Sequence, residues 1–75
     1  MTTEELLMEV VRILREREDY FDKQWMWEED SGQVTSAVMS LGKATAYNSA
    51  RQMLMAALTG NLETLQEYDI YHEEE

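Results

Sequence analysis

The chain contains no proline, and its three glycines stand at positions 32, 42 and 60. Proline and glycine are the residues that most often end a helix or allow the backbone to reverse. A chain so poor in both has few places to turn, and Gly32 and Gly60 divide these 75 residues into two long stretches and a remainder. The chain as a whole is rich in Glu, Leu, Met, Ala and Gln, which are good helix formers. The reading is a single all-α domain over residues 1–75: an antiparallel hairpin of two long helices with a short third helix near the C-terminus.

Local signals place the elements. Thr2 with Glu5 reads as a capping box, and Glu4 and Glu5 suit the positive end of a helix dipole, so the first helix is predicted over about 3–27. Its apolar stripe reads Leu6, Leu7, Val10, Ile13 and Leu14, then Phe21 and Trp25. The stripe is broken at Arg17 and Glu18, where either the arginine lays its aliphatic stem on the core or the helix bends. Glu28 to Gly32 reads as the loop, because three acids at a helix C-terminus oppose its dipole and Gly32 can adopt a left-handed turn. The second helix is predicted over about 33–59 and ends at Gly60. Asn61 caps a short helix over about 62–67, and residues 68–75 read as an acidic tail.

Charge is unevenly distributed. The net charge is −10, yet residues 31–62 contain no Asp or Glu, only Lys43 and Arg51. A helix on an ordinary solvated surface carries mixed charge, and one with so little is usually covered on more than one side. The second helix shows two apolar lines on opposite sides. One runs Ala37, Leu41, Ala44 and on to Met55 and Leu58, flanked by Val34, Val38, Tyr47 and Leu54. The other runs Met39, Gly42, Ala46, Ala50, Met53, Ala57 and is mostly small, which allows a neighbouring helix close approach. Two readings follow. Both faces are filled within one chain, or the small-residue face forms the seam of a homodimer, giving a four-helix bundle. The second is preferred, because a six-residue helix covers little of a seven-turn face and twofold dimers are the commonest oligomers. A chain this short with no cysteine also lacks the usual covalent staples.

The same charge argues against direct nucleic-acid binding and against docking on an anionic membrane. The acidic N-terminus lacks the character of a signal peptide, and no apolar run reaches the length of a membrane span, so the expected location is cytoplasmic. No catalytic residue, cofactor site or metal site is identified. There is no phosphate-binding glycine loop, no EF-hand spacing and no Ser-His-Asp set, and the one histidine, His72, lies in the acidic tail. The six methionines fall on different faces and read as packing residues, with Met8 and Met26 opposite the stripe of the first helix. Trp25-Met26-Trp27 is unusual. Trp25 continues the stripe, whereas Trp27 lies about 200° away and, with Met26, is a candidate anchor for an unknown protein partner. The plainer role for this pair of tryptophans is to cap the core and shield the loop.

In size, charge and layout the chain resembles the short acidic helical-hairpin proteins of bacterial and phage genomes, which implies a role of the phage or mobile-element type. The resemblance covers no motif and transfers no residue. The functional expectation is a non-catalytic interaction or regulatory protein. The alternatives are a DNA-mimic inhibitor of a nucleic-acid-binding protein, or a small structural subunit of a larger complex. Mimicry needs phosphate-like arrays of free acids, but Glu9 with Arg12 and Asp19 with Lys23 are spaced for local pairing.

Overall fold

Three helices occur in the order α1 (Thr3–Asp30), α2 (Val34–Thr59) and α3 (Leu62–Glu67). They are seen in a computed structural model that describes residues 1–68. Residues 69–75, with His72 and most of the expected acidic tail, lie outside the described residues. The fold is all-α, a hairpin of two long helices with one short helix after it.

The helix ends follow local chemistry. The Thr2 backbone N–H donates to the Glu5 carboxylate at 2.7 Å, and the Glu5 N–H donates to the Thr2 hydroxyl at 3.1 Å. This is the expected capping box, a device that stabilises a helix start by about 1 kcal/mol. Both long helices stop in the same way. Gly32 and Gly60 take left-handed conformations, with φ of 81° and 73°. The N–H of the following residue then reaches back to a helix carbonyl: Gln33 to Glu28 and Asn61 to Ala56, each at 2.8 Å. These bonds satisfy carbonyls that the helix end would otherwise orphan. The Asn61 side chain in turn accepts the Thr64 N–H at 3.1 Å and caps α3.

The first helix is longer than its charge pattern suggests. Glu28, Glu29 and Asp30, read above as loop, are its last helical residues, and the turn is confined to residues 31–33. Burial of Glu28 accounts for the difference. Its carboxylate accepts the Ser40 hydroxyl of α2 at 2.8 Å and the Gln24 amide of its own helix at 3.1 Å, and these hydrogen bonds offset an unfavourable dipole. The helix also runs through Arg17 and Glu18 without interruption.

Three- and four-residue spacing defines the seam between the long helices. On α1 the inward residues are Leu7, Val11, Leu14, Glu18, Phe21, Trp25 and Glu28. The α2 side supplies Ala37, Ser40, Ala44, Tyr47, Arg51 and Leu54. The seam is centred one residue later on α1 than the stripe read from sequence: Leu6, Val10 and Ile13 are exposed, and Val11 is the buried aliphatic. Val34, Val38 and Leu41 of α2 are exposed as well, while Ser40 is buried. Phe21 stacks on Tyr47 with ring centroids 5.9 Å apart.

The hairpin is thin. Its smallest dimension is 11 Å, about one helix diameter. The buried apolar residues are Val11, Ala37, Ala44 and Ala56, and no described side chain is fully withdrawn from water. A buried methyl contributes on the order of 0.8 kcal/mol, whereas ordering one residue's backbone costs on the order of 1–2 kcal/mol. A core made of one valine and three alanines is therefore small for a chain of this length.

Candidate interaction face

A plate made of two helices has two broad sides, and they differ. One side flanks the seam along Leu6, Val10, Ile13, Arg17, Tyr20, Gln24 and Trp27 of α1. On α2 its row is Met39, Lys43, Ala46, Ala50, Met53 and Ala57. Contacts across the seam confirm that these rows share a side. Arg17 donates to the Tyr47 hydroxyl at 3.2 Å, and Lys43 sits 5.2 Å from the centre of the Phe21 ring. Towards the open end of the hairpin, Leu14, Ala50, Met53, Leu54, Ala57 and Leu65 line an apolar depression. No position in either row is an Asp or Glu.

The side chains on this face are open to water. Leu6 is 53% exposed, Trp27 59% and Met39 61%, and Val10, Ile13, Tyr20 and Met53 are also exposed. Helix α3 leaves them so. It packs along the outer edge of α2, with Leu65 beside Met53 and Ala57, and it does not reach α1.

The opposite side carries ion pairs as well as the exposed Met8, Met26, Val34, Val38 and Leu41. Arg12 pairs with both Glu9 and Glu16. Hydrogen bonding to Arg12, reinforced by its charge, holds the Glu9 carboxyl below the usual range. The same two carboxylates push the Arg12 guanidinium above its ordinary value. Met8, Val11, Arg12, Arg15, Arg51 and Met55 surround a depression on this side. The seam itself is partly polar. Glu18 accepts from Asn48 at 2.9 Å and from two nitrogens of Arg51 at 3.1 and 3.2 Å. Trp25, half-buried, donates its indole N–H to Asp22 at 3.3 Å. Among the described residues no cluster of three or more His, Asp or Glu is placed to hold a metal ion. No helix among them is long and apolar enough to cross a membrane.

Of the residues singled out from sequence, Met39, Ala46, Ala50, Met53 and Ala57 all lie exposed on the acid-free face. Gly42 stands apart from them. It is about 180° from the seam on α2, and a side chain added there meets nothing within 4 Å. Trp27 and Met26 are both exposed but sit on different sides of the plate, Trp27 with the acid-free row and Met26 with the charged one. Sequence reasoning missed Leu6, Val10, Ile13 and Tyr20 as members of this face, three of them because they were assigned to the buried stripe. The signal that finds them is the unbroken spacing 7, 11, 14, 18, 21, 25, 28. It admits Glu18 and Glu28 to the seam and so turns Leu6, Val10 and Ile13 outward.

Comparison with protein-family models, with curated proteins and with solved structures finds no match. The functional reading rests on the geometry above.

Proposed function

We propose that this chain is a non-catalytic protein–protein interaction or regulatory protein that works through the acid-free face. The observation that carries this reading is a continuous face, built from both long helices, with large exposed apolar side chains and no carboxylate on a chain of net charge −10. Contiguous apolar patches of this kind mark interaction sites on soluble proteins. The non-catalytic part is supported by how the carboxylates are used. In a depression lined by Glu4, Glu5 and Glu9, Glu5 is committed to the N-cap and Glu9 to Arg12. Two enclosed acids, Glu18 and Glu28, hold the seam together. DNA mimicry draws less support, since Glu9 and Glu16, which a mimic would present, are tied to Arg12.

Affinity capture with wild type and with Ile13→Glu tests the reading. The expected result is a stoichiometric complex, with a second copy counting as a partner, that persists at high salt and is lost in the variant. Capture of only basic, nucleic-acid-binding proteins, released by salt and indifferent to Ile13→Glu, would overturn it in favour of mimicry.

A further inference from the structure

We infer that the occupant of the acid-free face is a second copy of this chain, related by a twofold axis that lies in the interface and runs parallel to the helices. This rests on the interaction reading above and specifies the partner.

The reason is steric self-complementarity. The seam sets which residues of α1 and α2 stand at the same height: Glu28 is level with Ser40, and Phe21 with Tyr47. Carried along the face, that register puts Val10 level with Ala57, Arg17 with Ala50, Tyr20 with Ala46, and Trp27 with Met39. The α1 row is therefore a ridge, and the α2 row is low at Ala46, Ala50 and Ala57, three of its six positions. A twofold parallel to the helices lays the α1 row of each copy on the α2 row of the other at unchanged height, so large meets small at Val10–Ala57, Arg17–Ala50 and Tyr20–Ala46. Every neighbouring pair of helices is then antiparallel. A twofold running across the helices instead stacks ridge on ridge.

Charge permits the same arrangement. The carboxylates of α1 and α2 all lie off this face, so the long helices of two copies meet without an acid between them. Lys43 is level with Gln24 and lies opposite the partner's Tyr20 and Trp27 rings, which favours a cation–π contact. Arg17 lies seven residues further along, about 10 Å away, so the cations do not collide. The footprint suffices as well. Twenty-eight residues of α1 extend about 42 Å. The acid-free row runs only from Leu6 to Trp27, about 32 Å, and two helices abreast are about 20 Å wide, so each copy offers roughly 600 Å², at the lower end of a standard stable interface.

The test combines mass and cross-linking in the full chain. Light scattering on wild type should give the mass of two chains, and Ala50→Arg, which sets a second cation against Arg17 of the other copy, should halve it with helical circular dichroism retained. The chain has no cysteine, so Val10→Cys and Ala57→Cys each introduce a single thiol. Mixed, unfolded and refolded together, the two variants should be joined by a short bis-maleimide, while neither is joined to itself. A dimer in which the mixed pair is not cross-linked overturns the proposed axis. A wild-type mass of one chain overturns the second copy altogether. In that case a captured partner that Ile13→Glu abolishes leaves the interaction reading standing, and no such partner brings down both.

Discussion

The seam between the two helices mixes polar groups with its leucines and aromatic rings, whereas the outer face beside it holds large apolar side chains and no acid. The seam contains two carboxylates, an arginine and a serine, and the only buried apolar side chains near it are a valine and small alanines. The face carries leucine, valine, isoleucine, methionine, tyrosine and tryptophan, open to water. Polar groups in a seam need matched partners, so they contribute to which residues oppose each other more than to stability. Apolar groups on a face contribute stability only once something covers them. The hairpin is thus arranged to set its own register and to leave Leu6, Val10, Ile13, Tyr20, Trp27, Met39 and Met53 for another surface.

That contrast can be broken at adjacent residues. Thr45 and Ala46 are both exposed in the single chain, but only Ala46 lies on the acid-free face. Ala46→Glu should weaken assembly by two orders of magnitude or more, about 3 kcal/mol. Thr45→Glu should leave it nearly unchanged. Sedimentation at several concentrations measures both, and equal effects would mean that the two sides of the plate are not distinguished by a partner.

The next effect belongs to the seam. Arg51→Met leaves Glu18 with Asn48 as its one remaining partner and should cost about 2 kcal/mol, because the pair is largely shielded from water. The double variant Glu18→Leu, Arg51→Leu should recover most of that loss, since replacing both members of a shielded pair by apolar groups is often neutral. Urea midpoints at one fixed protein concentration give the comparison. A double variant no better than the single one would mean that the pair contributes net stability rather than register.

Gly60→Ala should cost about 1 kcal/mol. An added methyl meets nothing within 4 Å, so the whole effect is the strain of a left-handed backbone, and it should appear as a lower melting temperature with the same assembly state.

The smallest effect concerns Glu9. Its carboxyl titrates below the ordinary value because of Arg12, so its contribution is present above the usual carboxylate range and is lost as pH falls through the depressed value. The pair is solvated, so Glu9→Gln should melt only slightly below wild type at neutral pH, with the gap closing in acid. A gap that persisted in acid would assign Glu9 a role other than the ion pair.

The elements of the fold were legible because each is set by nearby residues. Thr2 and Glu5 bond to each other, Gly32 and Gly60 reverse the chain without a Cβ, and Asn61 caps the helix it precedes. The end of α1 was not, because the bond that keeps Glu28 helical comes from Ser40, twelve residues away. The face was half legible. Its α2 row stood out by the absence of acids, while its α1 row was hidden by an aliphatic stripe two residues wide, in which Leu6 and Leu7, or Ile13 and Leu14, compete for the inside.

By itself, then, the sequence determined two long helices, a turn at Gly32, a stop at Gly60 and an acid-free second helix. These follow from capping, backbone conformation and composition, which act over a turn or two. Only the tertiary structure decided which of two adjacent stripes on α1 meets α2. That choice depends on Glu18 finding Asn48 and Arg51, and on Glu28 finding Ser40, across the hairpin. A buried carboxylate is tolerated only where a partner from the other helix satisfies it, and periodicity along one strand of sequence does not record that partner.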